Sequence, residues 1–569
     1  MSESEVQAGY RARRGFVLFV FAAAMTSLVV RGFYLQVLDH ERLSEEGESR
    51  HLRVVEMPAH RGMIVDREGE PLAISTPVDT VWADPSELIT ARDRLPALAK
   101  VLGLDANLLK QRLARHSDKE FMYIKRRVTP EKARKVMALG LPGVSLQREY
   151  RRFYPTGEVM AHVLGFTNVD DHGQEGIELA YDDWLAGSSG LKRVVKDRLG
   201  RVVDDVEQIS APSPGKELRL SIDSRLQYLA YRELKRAVQE RGAKSGSVVL
   251  LRPQTGEVLA MVNQPSFNPN NRKGVKASHY RNRAVTDVFE PGSTVKPFVV
   301  ATAIDSGRFA PSSVINTSPG YYRVNGNQIR DVRDYGTISL GKILMKSSNV
   351  GASRLALKLP SEQLWSVFDG IGFGHVTGSG FPGEAAGLMN DYSRWREFEK
   401  ATMSFGYGMS VTPLQLAEAY SVLAADGVYH PASFLVVDKP EGRHIIKPET
   451  AKAVRRMLRG VVSKEGTAYL ARVEGYTVAG KTGTVRKSVA GGYSEDRYIA
   501  VFAGMVPAEN PELVAVVMIN EPSKDEYYGG LVAAPVFSRI MTEAVRLLNI
   551  APDDYQGLTA STGKGGPPA

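Results

Sequence analysis

Glu290-Pro291-Gly292-Ser293-Thr294-Val295-Lys296-Pro297-Phe298 is the stretch on which the reading of this chain turns. Ser293 follows a Pro-Gly turn, and Lys296 stands three residues on. Beyond Ser293, the apolar residues Val295, Val299, Val300, Ala303 and Ile304 fit one face of a helix. The pattern predicts Ser293 at a helix N-terminus, with Lys296 one turn above on the same face. A lysine that is desolvated and close to other cations gives up its proton and can serve as base to a neighbouring hydroxyl. The helix N-terminus also offers backbone N–H groups to an oxyanion.

S-x-x-K alone carries little, because it occurs at Ser189, Ser213, Ser293, Ser339 and Ser561. Two further elements select Ser293. Ser347-Ser348-Asn349 supplies S-x-N, 54 residues later, and Lys481-Thr482-Gly483 supplies K-T-G, another 134 later. Each has an impostor, Ser266-Phe267-Asn268 and Lys244-Ser245-Gly246. Lys481 lies in a strand pattern followed by two apolar strands, at Tyr498 to Val506 and Leu513 to Ile519. Ser347 lies at a break between two apolar helical runs.

The chain has 569 residues and no cysteine. That length allows about three or four domains and a large core without staples. Zero Cys excludes disulfides, zinc ribbons, a thiol nucleophile and an acylated-cysteine anchor, and it suits an oxidising compartment. The ten His are scattered, none in H-E-x-x-H spacing, so no metal and no cofactor is expected. The net charge of +9 is modest over this length. It suits anionic lipid or acidic wall polymers at least as well as nucleic acid, which is not expected as a partner.

Gly15 to Val30 is uncharged, and Arg11, Arg13 and Arg14 precede it. Arg31 interrupts, but apolar sequence continues to Leu38, and an Arg near a helix end can snorkel to the interface. This reads as one transmembrane helix at 15–38, with residues 1–14 as a cytoplasmic tail and the rest exported. The rival is a signal peptide cleaved at Ala22-Ala23-Ala24, which would leave an apolar new terminus.

The exported part divides at the Pro/Ser/Gly run Ile209 to Gly215. Before it, residues 39–210 are charged and Arg-rich, with β-rich segments at Pro58–Ala73 and Leu191–Ile209 and a helix at Pro130–Leu139. After it, a helix at Ser224–Gln239 opens a mixed helix-and-strand domain, 215–550, that ends with a helix at Pro535–Asn549. Residues 551–569 read as a disordered tail.

The ordered trio S-x-x-K, S-x-N and K-T-G is the signature of penicillin-binding proteins and serine β-lactamases, which this chain resembles. The flanks narrow the resemblance to class B penicillin-binding proteins. Pro58-Ala59-His60-Arg61-Gly62 with Asp66, Arg67, Leu72 and Ala73 looks like their first motif. Arg152-Phe153-Tyr154-Pro155 with Gly157, Ala161, His162 and Gly165 looks like the second, and Gly173, Gly176, Glu178 and Leu185 like the third. Within that class the layout is similar to the septal, cell-division transpeptidase.

The resemblance implies an α+β chain: one inner-membrane anchor, a β-rich non-catalytic pedestal, and a periplasmic transpeptidase domain with an antiparallel sheet flanked by helices. The implied reaction is acyl transfer between peptidoglycan stem peptides, open to β-lactam antibiotics. Ser293 would be the nucleophile and Lys296 its base. Ser347 would relay protons, Asn349 would hold the substrate amide and Lys296, and Lys481 would keep Lys296 neutral. Thr482 and Thr484, with Gly483 between them, would take the terminal carboxylate. The N–H groups of Ser293 and Thr484 would form the oxyanion hole. The implied partners are a membrane-embedded glycan polymerase and other division proteins.

Tyr407 and Tyr528 are candidates for an aromatic wall beside the cleft; the alternative is packed aromatics beside ordinary turn glycines. Glu384 is weighed as a deacylating base against a plain loop carboxylate. Arg61 and Asp66 read as a buried ion pair, and Arg148–Arg152 as a solvated basic face. A D,D-carboxypeptidase or β-lactamase shares the serine motifs, but the anchor and pedestal favour wall synthesis. A β-lactam sensor would need several spans and a cytoplasmic domain, for which 14 residues leave no room. An idle division scaffold is disfavoured by the complete motif set.

Overall fold

The computed structural model describes residues 3–41, 52–196, 202–489, 492–523 and 526–554. Of the expected disordered tail, 555–569 lies outside the described residues. Residues 551–554 are held, with Thr477 N–H on Asp553 Oδ1 at 2.7 Å and Asp554 N–H on Gly475 O at 3.1 Å.

Compactness does not divide the chain at a single point. One unit comprises Met1–His60, Thr76–Arg151 and Gly187–Pro214; the other comprises Arg61–Ser75, Arg152–Ala186 and Gly215–Ala569.

The first unit opens with the helix Glu3–Phe33, prolonged by a π-turn over Tyr34–Leu38. Arg13–Leu38 is the one stretch among the described residues long and apolar enough to cross a membrane. An antiparallel sheet joins Leu52–Met57, Gly190–Lys196 and Val202–Ser210. A separate small core gathers Leu95, Leu98, Leu102, Leu109 and Leu113 around Val81 and Ile124. Its helices carry their own stops. Gly103 ends Leu95–Leu102 in the left-handed region (φ 64°), and Asp105 caps Ala106–Arg115 by accepting the N–H groups of Asn107 and Leu108. The expected helix from Pro130 runs to Met137, with the proline in its first turn. The expected solvated basic face is instead a paired surface: Arg148 meets Asp79 at 2.9 Å and Glu149 meets Arg126 at 3.3 Å.

In the second unit the three flanking motifs converge on one carboxylate. Arg61 and Arg152 both bind Glu178, Arg61 Nε to Oε2 at 2.8 Å and Arg152 Nε to Oε1 at 2.6 Å. Glu178 is 0% exposed, Arg61 1% and Arg152 3%. The Arg61–Asp66 pair read from the sequence does not form. Arg61 turns to Glu178 and Asp182, while Asp66 accepts the backbone N–H groups of Glu68, Glu70 and Ser224. Two cations on one buried anion make the cluster fragile, since losing the anion strands Arg152 and leaves Arg61 with Asp182 alone.

The central sheet consists of β1 (Ser245–Leu251), β2 (Val258–Gln264), β3 (Ala479–Val489), β4 (Gly492–Val506) and β5 (Leu513–Asn520), in spatial order β2-β1-β5-β4-β3. Every pairing is antiparallel. β1, β2 and nearly all of β5 are buried at consecutive positions, so both faces of the sheet are covered. This explains the continuous rather than alternating apolar runs. Helices α1 (Ser224–Glu240), α5 (Pro413–Ala424) and α6 (Ala534–Leu547) pack on the sheet, while α2 (Lys296–Asp305), α3 (Leu340–Lys346) and α4 (Asn349–Leu357) pack on one another. α1 and α6 pack together and on the sheet, where Phe502 and Phe537 meet edge to face at 4.8 Å. Each such buried ring contributes about 1.5–3 kcal/mol. α5 is buried throughout and starts with a capping box between Thr412 and Gln415.

Glu178→Ala should cost about 3–5 kcal/mol in urea denaturation, because it takes the carboxylate from buried Arg152 and leaves buried Arg61 with Asp182 alone. Replacing all three partners by Met or Leu should cost less than that single change. The opposite ranking would show that the cluster is not an electrostatic unit.

Candidate active site

Ser293 does not sit in the first turn of the α-helix itself. It lies in a 3-10 turn, Gly292–Val295, that leads into α2 at Lys296. α5 secures this turn from behind, where the Tyr420 hydroxyl donates to Thr294 O at 2.8 Å. Lys296 still stands one turn from Ser293, and its Nζ lies 3.0 Å from Ser293 Oγ.

The break between the two apolar helices falls at Ser347, between α3 and α4. Ser347 has φ 58° and ψ 38°, a left-handed conformation that a serine adopts at a cost. It turns both its carbonyl and its hydroxyl toward Lys296, at 2.6 and 3.2 Å. Asn349 Oδ1 adds a third contact at 2.7 Å. From the edge strand β3, Lys481 Nζ reaches Ser347 Oγ at 3.0 Å. Thr482 shares a 3.0 Å hydroxyl contact with Thr467, and the Thr484 hydroxyl accepts the Gly529 N–H at 2.9 Å. One hydrogen-bonded network therefore contains Ser293, Lys296, Ser347, Asn349, Lys481 and Thr482. Gly483 and Thr484 lie beside it on the same strand.

Both lysines are 0% exposed. Burial holds Lys296 well below the ordinary lysine range, and the nearby Lys481 lowers it further; Asp331 opposes this. Burial also brings Lys481 down, to about 7. A neutral Lys296 amine has two N–H groups and one lone pair. Ser347 O and Asn349 Oδ1 can only accept, so they take the two N–H groups. The lone pair is then left for the two hydroxyls, Ser293 at 3.0 Å and Ser347 at 3.2 Å. Chemically, a neutral amine so placed can take a proton from a neighbouring hydroxyl.

Asp331 escaped the sequence reading. Its Oδ1 accepts the N–H groups of Asn349 and Val350, and its Oδ2 accepts the Ser348 hydroxyl, which fastens the S-x-N segment at the start of α4. Only its distance from a helix start, 18 residues on, was visible, and no local pattern links them. Thr467 and Tyr420 were missed for the same reason.

The aromatic candidates separate into two groups. Tyr528 is exposed and stacks on Tyr527, which stacks on Tyr498. Tyr407 packs with Phe405 and Tyr493. Glu384 is occupied within its own loop, where it accepts the Thr377 N–H and hydroxyl at 2.9 Å and the Ser379 hydroxyl. Among the described residues, no group of three or more His, Asp or Glu is placed to hold a metal.

With this geometry, the family assignment follows. The model of the penicillin-binding protein transpeptidase domain matches residues 246–542, and that of the penicillin-binding protein dimerisation domain matches 56–220. The chain belongs to the class B penicillin-binding proteins, which join these two domains. It is 46% identical, over 93% of its length and 91% of the relative's, to peptidoglycan D,D-transpeptidase FtsI of Escherichia coli K12. It is 42% identical, over 95% of its length and 96% of the relative's, to the probable peptidoglycan D,D-transpeptidase PbpC of Pseudomonas aeruginosa. A solved transpeptidase domain of penicillin-binding protein 3 from Burkholderia pseudomallei is 42% identical. It aligns over 59% of this chain and 97% of its own, with a TM-score of 0.55.

A base must be neutral to accept a proton, so acylation should be lost as pH falls through the depressed value of Lys296. Lys481→Gln removes a cation that lowers that value. The acid limb of the acylation–pH profile should therefore move to higher pH in this variant. An unmoved limb, or one displaced to lower pH, would remove Lys481 from that role.

Proposed function

We propose that this protein is a membrane-anchored D,D-transpeptidase that crosslinks peptidoglycan stem peptides at the division septum. The observation that carries the reading is the Lys296 amine, whose Nζ lies 3.0 Å from Ser293 Oγ while Ser347 O and Asn349 Oδ1 stand at 2.6 and 2.7 Å to accept its N–H groups.

Ser293 Oγ attacks the carbonyl carbon of the D-Ala–D-Ala amide as its proton passes to Lys296 Nζ. The N–H groups of Ser293 and Thr484 hold the oxyanion. Ser347, between the two lysines, returns a proton to the amide nitrogen, and D-alanine leaves. An amine on a neighbouring stem then attacks the acyl-enzyme, Ser293 regains its proton, and the crosslink is made. Thr482 and Thr484 receive the donor's terminal carboxylate, near the positive potential of Lys481. A β-lactam enters the same path, but its ring nitrogen stays tethered after the amide opens, so the adduct persists. Tyr407 and Tyr528 serve as an aromatic wall beside the cleft.

The anchor at 15–38 keeps residues 1–14 in the cytoplasm and presents the rest to the periplasm, in keeping with Arg11, Arg13 and Arg14 before the span. Residues 39–210 serve as a pedestal, and they and the anchor dock a membrane-embedded glycan polymerase and other division proteins. Residues 215–550 carry the chemistry.

Labelled penicillin should form a covalent adduct at Ser293, identified by mass spectrometry, and Ser293→Ala should take no label. Lys296→Ala should slow acylation by about 10²–10⁴-fold, the usual contribution of a positioned base. An adduct on another serine would overturn the assignment. A reporter fused after His40 should be active only on the periplasmic side.

A further inference from the structure

Glu290 stands three residues before Ser293 and takes no part in the steps above. Its carboxylate is nevertheless a meeting point for three separate pieces of chain. Oε1 accepts the Gly408 N–H at 3.0 Å and the Tyr493 hydroxyl at 3.0 Å. Oε2 is buried without a hydrogen-bond partner among the described residues. Gly408 belongs to the loop that carries Tyr407. Tyr493 lies near the start of β4, where it pairs with Ser488 of β3. The Tyr407 and Tyr493 rings meet edge to face at 5.5 Å. Burial and the Glu290 carboxylate both raise the Tyr493 phenol, which keeps its proton and donates it.

The backbone around this carboxylate has little slack. The Gly292 N–H donates to Gly406 O at 3.2 Å, and Phe289 and Val411 exchange two backbone hydrogen bonds of 2.9 Å. A Cβ on Gly406 would stand 2.1 Å from Gly292 O, and one on Gly292 would stand 2.5 Å from Val485 Cγ2. The Ser293 turn is thus pressed between the 405–408 loop and β3. The loop has backbone bonds of its own to that turn. β4 reaches the corner by the Tyr493 hydroxyl on Glu290.

This matters because the two N–H groups assigned to the oxyanion belong to different elements, Ser293 on the turn and Thr484 on β3. Their separation must stay fixed as charge develops between them. We infer that Glu290 is a positioning residue that locks the β3–β4 pair and the Tyr407 loop onto the Ser293 turn, and so fixes the acylation geometry. The inference rests on the reading of Ser293 as the acylated nucleophile.

The test is stopped-flow acylation of the full-length, detergent-solubilised chain by a fluorescent penicillin. Glu290→Ala should lower the limiting acylation rate constant by about 10- to 100-fold, the scale expected of an ångström-sized misplacement. Label stoichiometry and apparent affinity for the penicillin should stay near those of the unaltered chain. Glu290→Gln keeps an oxygen acceptor for both donors and should recover most of the rate. Tyr493→Phe should fall between the two, and the double variant Glu290→Ala/Tyr493→Phe should be no slower than Glu290→Ala alone. An unchanged rate in Glu290→Ala overturns the inference. So does a lower stoichiometry at unchanged rate per labelled chain, which would mark a role in folding only. Glu290→Gln as slow as Glu290→Ala also overturns it, because the charge rather than the hydrogen bonds would then matter. Failure of the unaltered chain to label at Ser293 overturns the functional reading together with this inference, whereas the other failures overturn this inference alone.

Discussion

The active centre is arranged around the Lys296 amine, whose charged form is disfavoured by burial. Lys296 is fully buried, and among the described residues it makes no ion pair. A cation in that position is far costlier than a neutral amine. Protein oxygens take up the neutral form's two N–H groups, and a second buried lysine makes reprotonation still less favourable. The fold by itself therefore favours the neutral amine.

The same unit buries a second group of charges to the opposite end. Arg61, Arg152 and Glu178 are as inaccessible as the two lysines, but opposite charges face each other there and two backbone carbonyls accept from Arg61. That cluster ties together three segments distant in sequence. Paired burial holds structure, whereas burial of like charges prepares chemistry. The contrast lies in the partners and not in the depth.

Close approach of main chain is the third requirement. The Ser293 turn, the 405–408 loop and β3 approach one another where Gly292, Gly406 and Gly483 lack side chains. Gly292 and Gly406 also take positive φ, at 57° and 82°, which other residues rarely adopt. Shape alone would leave such a corner free to slide. Directional bonds at Glu290 and Tyr420 restrain it.

Much was legible without coordinates. The order and context of Ser293, Ser347 and Lys481 selected one of five S-x-x-K serines, and the fold brings those three segments into one hydrogen-bonded network. The apolar runs of β4 and β5 were legible because strands covered on both faces lose their alternation. The tertiary structure decided what depends on distant partners. Arg61 chose Glu178 over nearby Asp66, Arg152 went inside instead of joining a solvated face, and Asp331 came to fasten the segment that holds Asn349. The physical reason is the same in each case. Local sequence sets which conformations a segment can adopt, but a charged or hydrogen-bonding side chain is satisfied by whatever the folded chain brings within about 3 Å of it.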